Sequence, residues 1–187
     1  HAVCETAPEI VPNINRIAAA TRAAGGTVGW VLTTCKDQSL TNWATYYEMA
    51  GAEGPPQSRQ ALAKGSKGHE LWAGLTVEPQ DLFVEKERFS AFIQGSSNLA
   101  EVLRQRGIDT ILITGTVTNV CCESTARDAM MLNFKTVMVT DGNAAITDAD
   151  HNASLCAFYL TFGDILSTEE LTACLARGRR KSKTAAA

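Results

Sequence analysis

Two adjacent cysteines stand where an apolar, strand-like segment gives way to a helical pattern. The stretch ITGTVTNVCCESTARDAMML runs from Ile113 to Leu132 and contains Cys121 and Cys122. At a helix N-terminus, unpaired backbone amides and the helix dipole favour a thiolate over a thiol. The same amides can bind the oxyanion of a tetrahedral intermediate. Because ligands of α/β proteins bind beyond the carboxyl ends of the strands, this position predicts Cys121 as a nucleophile.

The neighbouring cysteine faces another way. Cys122 is about 100° further around the helix than Cys121 and is in register with Ala126 and Ala129, so we expect it to point into the core. The alternative is that both cysteines are small buried apolar residues, which is what most free cysteines are.

A lysine offers the partner that such a nucleophile needs. Lys86 directly follows the strand-like segment DLFVE, in the stretch VEKERFSAF. An ammonium at the end of a strand can stabilise a thiolate or bind developing negative charge. The alternative is an ordinary solvated lysine.

The elements that must position these residues alternate along the chain. Strand-like segments are 27–33, 81–85, 110–115 and 135–141. Helical patterns start near Pro12, Leu99, Val120 and Asp148 and after Ser167. Alternation of strands and helices predicts an α/β fold: a three-layer sandwich with a mostly parallel sheet covered by helices on both faces.

Bulk composition narrows the class of protein. The 187 residues are 45% hydrophobic and 20% charged, with a formal net charge of -3 at pH 7. This charge gives no global attraction to nucleic acid, and no apolar run approaches the roughly 18 residues that suggest a membrane span. The 6 cysteines contain no Cys-x-x-Cys pair, so we expect reduced thiols in the cytoplasm.

The motifs VEKERFSAF and GIDTILITGTVTNVCCESTARDA together resemble the isochorismatase-like cysteine hydrolase superfamily. The resemblance extends from IVPNINRIAAATRAAGGTV to FGDI and is closest to the amidohydrolase branch, which includes ureidoacrylate and N-carbamoyl amide hydrolases. It implies an Asp-Lys-Cys triad in which Lys86 and Cys121 are two members. It also implies a cis peptide between Thr116 and Val117, and an oxyanion hole made by the amides of Val117 and Cys121.

No residue of the sequence matches the aspartate of that triad. In the family it ends the first strand, which lies upstream of the helix that begins IVPNIN, whereas Glu5 and Glu9 lie in the wrong segment. We therefore expect the first strand to be missing from this chain, and at least about twenty further residues to precede His1.

The resemblance implies that Cys121 attacks an amide or ureide carbonyl of a small molecule through a thioester, with no cofactor. One alternative is vinyl-ether hydrolysis of the isochorismatase type, which does not need the cysteine; another is a non-catalytic relative that binds a ligand or partner. The nicotinamidase branch holds a metal, but His69 and His151 are isolated, so we expect no metal site.

Candidate substrate contacts lie in two segments and each has a simpler interpretation. Phe89 and Phe92 either wall the pocket or pack in the core, and Arg88 either binds a carboxylate or faces solvent. Residues of the long stretch between 35 and 77 could close over a substrate or simply pack on the surface or a partner; they are Asn42, Trp43 and Tyr46. Asn119 could instead fix the backbone before the helix.

Residues 1–176 are expected to form one domain, and residues 177–187 a basic, disordered tail. Because members of the family commonly assemble, the resemblance also implies a homodimer or homotetramer. The expected partner is a small-molecule amide or ureide, and neither nucleic acid nor a membrane.

Overall fold

The computed structural model describes residues 4–49 and 59–185. The strands are β1 Gly29–Thr33, β2 Leu82–Lys86, β3 Thr110–Thr116, β4 Lys135–Ala144 and β5 Asp164–Leu166. The helices are α1 Val11–Ala23, α2 Ser39–Asn42, α3 Ala44–Met49, α4 Leu99–Gln105, α5 Glu123–Met131, α6 Asp148–Tyr159 and α7 Thr168–Ala185. A π-helical turn, Thr118–Cys122, lies between β3 and α5. Short 3-10 turns occupy Ala7–Ile10 and Lys67–His69.

Helix boundaries follow residues with specific backbone roles. Pro12 lies in the first turn of α1, where its missing N–H costs nothing, and Gly25 follows the helix with a φ of 84°. At the start of α7, the backbone N–H of Ser167 donates to the carboxylate of Glu170 at 2.8 Å, and the N–H of Glu170 donates to the Ser167 hydroxyl at 3.3 Å. This is the capping box that the spacing of the two residues predicts.

The strands form two parallel sheets. Strand β1 pairs with β2, and β4 lies between β3 and β5. Within the described residues, no pair of hydrogen-bonded strands joins the two sheets.

Helices cover both faces of the larger sheet. Met138 and Val139 are adjacent on β4 and fully buried, and successive strand residues point to opposite faces. Met138 packs in a cluster with residues of α5 and α6, whereas Val139 packs with Ile17 of α1 and Leu171 of α7. Parallel sheets flanked by helices confirm the predicted α/β fold.

An ion pair fastens α1 to the smaller sheet. Arg22 of α1 donates two hydrogen bonds to the carboxylate of Asp81, which precedes β2, and the indole N–H of Trp30 on β1 donates to the same carboxylate at 2.8 Å. Hydrogen bonding from Arg22, opposed by burial, lowers the pKa of Asp81 to about 2. The buried charge is therefore compensated on several sides.

Three parts of the chain differ from the sequence prediction or extend it. Strand β5 was not predicted, and the long stretch after residue 35 contains the short helices α2 and α3; its segment 50–58 lies outside the described residues. The basic segment from residue 177, which we expected to be disordered, is assigned to α7 as far as Ala185. Lysine, arginine and alanine are good helix formers, so their run can continue a helix. None of the described helices is long and apolar enough to cross a membrane.

Candidate active site

Lys86 is the last residue of β2 and is almost fully buried, with 4% of its surface exposed. Its Nζ atom donates to the carbonyl oxygen of Arg88 at 2.7 Å and lies 3.6 Å from the Sγ atom of Cys121. A buried ammonium is unfavourable unless a negative charge lies near it. Negative charge that develops on the Cys121 sulfur during a reaction would therefore lie within reach of this ammonium.

The turn between β3 and α5 brings Cys121 to this position. The register of β3 with β4 shifts between Ile113 and Gly115, and Gly115 has a φ of 122°, which favours glycine. The peptide bond between Thr116 and Val117 is cis. The carbonyl oxygen of Val117 then accepts the backbone N–H groups of Val120 and Cys122, both at 3.2 Å. These contacts close a compact turn at the carboxyl edge of the sheet.

The two cysteines have different surroundings. Cys121 is partly exposed, whereas Cys122 is buried in a core cluster with Ala126 and Ile113. Complete burial raises the pKa of the Cys122 thiol above its usual range, and the adjacent Cys121 adds to this. Cys122 therefore lies in the core, as its helical register predicts.

A threonine links the cysteine turn to the loop that follows Lys86. The hydroxyl of Thr125 on α5 donates to the carbonyl oxygen of Cys121 at 2.6 Å and accepts the backbone N–H of Ala91 at 3.2 Å. The same loop is held by the hydroxyl of Ser96, which donates to the carbonyl oxygen of Ser90 at 2.5 Å. Side-chain hydroxyls therefore shape this loop in place of regular secondary structure.

An aromatic cluster adjoins the lysine on the other side. The Phe89 ring meets the rings of Trp43 and Tyr46 edge-on, at centroid distances of 4.9 and 5.4 Å. The Arg88 guanidinium lies 5.1 Å from the centroid of Trp43 and donates to the carbonyl oxygen of Asn42 at 2.6 Å. Since the carbonyl of Arg88 also accepts from Lys86, these five residues form one connected group beside the ammonium.

The two remaining candidates for substrate contact have different surroundings. Phe92 is buried in a core cluster, with its ring centroid 5.5 Å from that of Phe134. Asn119 lies in the π-helical turn and is exposed.

Two histidines that seemed isolated in the sequence each contact a threonine at the carboxyl edge. The Nε2 atom of His69 lies 2.8 Å from the Thr34 hydroxyl, and the backbone N–H of Thr34 donates to the carbonyl of Lys86. The Nδ1 atom of His151 lies 2.9 Å from the Thr118 hydroxyl. Because partners lie 35 and 33 residues apart, no local pattern could predict either contact. In the part of the chain that the structure describes, no three His, Cys, Asp or Glu residues are grouped to hold a metal.

Parallel sheets between helices, with a lysine and a cysteine together at the carboxyl edge, define an isochorismatase-like α/β protein. The isochorismatase domain family matches residues 2–170, and the chain belongs to that family. It is an isochorismatase-family hydrolase.

Individual relatives agree with this assignment. Ureidoacrylate amidohydrolase RutB of Pseudomonas savastanoi pv. phaseolicola is 36% identical over 177 residues, which cover 90% of this chain and 71% of that protein. Ureidoacrylate amidohydrolase RutB of Methylobacterium radiotolerans is 33% identical over 171 residues, 82% of this chain and 62% of that protein. A cysteine hydrolase from Pseudomonas syringae pv. phaseolicola has a structure with a TM-score of 0.82 and 29% identity, covering 94% of this chain and 84% of that one. These proteins are longer than the present chain.

Proposed function

We propose that this protein is a cysteine hydrolase that cleaves the C–N bond of a small amide or ureide. The observation that carries the proposal is the buried Lys86 ammonium 3.6 Å from the Cys121 sulfur at the carboxyl edge of the sheet. The similarity to two proteins named ureidoacrylate amidohydrolases directs the choice of substrate.

The proposed reaction has two steps. The Cys121 thiolate adds to the carbonyl carbon, and collapse of the tetrahedral intermediate breaks the C–N bond. The general base that took the thiol proton returns it to the nitrogen, which leaves as ammonia or a neutral amine. The thioester that remains is attacked by water, the C–S bond breaks and the thiolate returns. An amide yields a carboxylate in this way, and a ureide attacked at its urea carbonyl yields a carbamate.

The charge that develops on the carbonyl oxygen needs hydrogen-bond donors. We assign this role to the backbone amides of Val117 and Cys121, which lie in the compact turn after β3. Lys86 stabilises the thiolate before attack and after its release. The aromatic cluster beside it, with Trp43 and Phe89, would shield a bound substrate from water.

A general base is the remaining requirement, and the family resemblance implies an aspartate at the carboxyl end of a neighbouring parallel strand. The two sheets are not hydrogen-bonded to each other within the described residues, and Val31 on β1 is 40% exposed although it is apolar. A further parallel strand between the two sheets would pair with the open edge of each. Its carboxyl end would then lie at the same edge of the sheet as Lys86 and Cys121.

The test is hydrolysis of ureidoacrylate by the protein and its Cys121→Ala variant. Products are followed by proton NMR, and mass spectrometry of the intact protein after rapid acid quenching detects an adduct on Cys121. We expect turnover by the wild type and a loss of roughly a thousandfold or more in the variant. Cys156→Ala, which removes an exposed thiol, serves as the matched control and should hydrolyse normally.

Two results would contradict the proposal. One is failure of the wild-type protein to hydrolyse ureidoacrylate or a panel of simple amides and N-carbamoyl compounds. The other is hydrolysis by Cys121→Ala at the wild-type rate, since that would mean that water is added without the thiol, as in vinyl-ether hydrolysis.

A further inference from the structure

Helix α6 contacts both ends of the turn that carries Cys121. At the start of the turn, the Nδ1 atom of His151 lies 2.9 Å from the hydroxyl oxygen of Thr118. Just beyond its end, the hydroxyl of Ser154 donates to the carboxylate of Glu123 at 2.6 Å. The Ser154 oxygen also lies 3.4 Å from the carbonyl oxygen of Thr118. One helix therefore holds the cysteine turn at two points.

The partners of these contacts on the inner side are buried. Thr118 has no exposed surface, and Ser154 is buried as well. A buried hydroxyl that loses its partner pays the full cost of desolvation, so such hydrogen bonds are maintained. The Thr118 hydroxyl can donate to the imidazole or accept from it, and the pair therefore forms with either tautomer of His151.

The position of α6 is itself fixed by the core. Leu155 and Phe158, on the inner face of the helix, pack in one cluster with Met138 of β4 and with Cys122. Contacts from His151 and Ser154 thus tie the cysteine turn to a rigid part of the fold and not to a surface segment.

We propose that His151, supported by Ser154, is a positioning residue that sets the geometry of the Cys121 turn through Thr118. Thr118 directly follows Val117, whose amide is one of the two assigned oxyanion donors. If Thr118 moves, the amides of Val117 and Cys121 move with it. A misplacement of about 1 Å in such a site can lower a rate on the order of a hundredfold.

The inference rests on the proposed function for its kinetic consequence, but its first readout does not need a substrate. Reactivity of the Cys121 thiolate depends on the amides around it and can be measured by alkylation. Wild-type protein is treated with iodoacetamide for increasing times, and mass spectrometry of peptides gives the rate at Cys121. Cys156 and Cys174, which are exposed, provide internal reference rates.

Two variants of His151 differ in whether a polar group remains near the position of the Nδ1 atom. His151→Leu removes the imidazole, whereas His151→Asn places an amide near the position of the Nδ1 atom. We expect His151→Leu to slow alkylation of Cys121 about tenfold and to lower kcat by at least as much with little change in KM, and His151→Asn to restore most of both. Asn152→Leu changes the exposed neighbour on the same helix and should behave like wild type.

A second pair of variants tests the contact from the other side. Thr118→Val removes the hydroxyl at nearly constant volume, and Thr118→Ser keeps it. The double variant Thr118→Val with His151→Leu should be no slower than the more affected single variant, because both remove the same hydrogen bond.

The outcomes separate positioning from simple support of the fold. Wild-type alkylation in His151→Leu would overturn the inference, whether or not its melting temperature falls. Equal loss in His151→Leu and His151→Asn, or additive losses in the double variant, would overturn it too. Absence of amide hydrolysis in all proteins would contradict the proposed function alone, since the alkylation rates would still decide the role of His151.

Discussion

The Nζ atom of Lys86 and the Sγ atom of Cys121 lie 3.6 Å apart, although the residues are 35 positions apart in the chain. The lysine ends β2 and the cysteine follows β3, which belong to different sheets. Packing of the loop after Lys86 against α5 brings the two together, through the hydrogen bond between Ala91 and Thr125. The pair is therefore a product of tertiary structure and not of one local motif.

Replacing Lys86 by methionine should make Cys121 much less reactive. The variant removes a positive charge 3.6 Å from the sulfur, so negative charge on the sulfur loses that attraction. We expect the alkylation rate of Cys121 near neutral pH to fall at least about tenfold, and hydrolysis to fall with it. Lys64→Met, which removes a mostly exposed lysine paired with Glu85, is the control. An unchanged rate in Lys86→Met would show that the ammonium does not act on the sulfur.

Replacing Thr125 by valine should separate the cysteine turn from the loop after Lys86. Valine keeps the volume but removes the hydroxyl that binds Cys121 and Ala91, leaving two backbone groups without that partner. We expect a loss of about 1–2 kcal/mol in the free energy of unfolding and a lower kcat. Thr125→Ser keeps the hydroxyl and should recover both, as measured by urea denaturation and by turnover. Equal behaviour of the two variants would contradict this role for the hydroxyl.

Sequence patterns predicted the features that depend on local periodicity. Cys122 is in helical register with Ala126, and this register predicted that Cys122 is buried and that Cys121 faces another way. Helical geometry alone decides which face of a helix a residue occupies. The capping-box spacing of Ser167 and Glu170 likewise predicts the start of α7. The cis peptide after β3, by contrast, came from the family resemblance, since neither Thr116 nor Val117 has a residue type that favours it.

Features that depend on distant packing could not be read from the chain. Phe89 and Phe92 are chemically identical and three residues apart, yet only Phe89 reaches the aromatic cluster. Strand β5 has only three residues, too few for a periodic signal. His151 contacts Thr118 because α6 packs over the cysteine turn. The spacing of residues in the sequence does not predict that packing.

Replacing Arg88 by lysine should loosen the aromatic cluster beside Lys86. The guanidinium uses two nitrogens at once, for the carbonyl oxygens of Glu87 and Asn42, and also lies against Trp43. A lysine cannot reproduce this planar arrangement. We expect KM to rise severalfold with a smaller change in kcat, and Trp43 fluorescence to be quenched more readily by acrylamide, as judged by comparison with the same variant carrying Trp43→Phe.

A second arginine in the chain provides the control for that experiment. Arg104 lies over the ring of Phe134 and donates to the carbonyl oxygen of Leu132, so it makes the same kinds of contact outside the aromatic cluster beside Lys86. Arg104→Lys should leave KM and the quenching of Trp43 unchanged. A rise in KM of equal size in both variants would mean that the effect comes from a general loss of packing in the protein. It would not come from the aromatic cluster beside Lys86.

Stability in acid should depend on Asp81. Its pKa is about 2 in the folded protein against an ordinary value of 3.8, a difference that contributes about 2 kcal/mol to the free energy of unfolding. The sign follows from the lowered pKa: the contribution is complete above pH 4 to 5 and is lost as the pH falls toward 2. Urea denaturation at pH 7 and pH 3 should therefore show a loss of about 1 kcal/mol through this group.

Replacing Asp81 by asparagine should remove that dependence along with the ion pair. The variant leaves the Arg22 guanidinium, which is largely buried, without its counter-charge and weakens the acceptor of the Trp30 indole, so we expect a loss of about 2–3 kcal/mol at pH 7. Between pH 7 and pH 3 it should lose less stability than the wild type. Asp109→Asn removes a carboxylate whose pair with Lys135 is exposed, and solvent screening should leave stability nearly unchanged. If Asp81→Asn and Asp109→Asn had equal stability, the Arg22–Asp81 pair would not stabilise the packing of α1 against the smaller sheet.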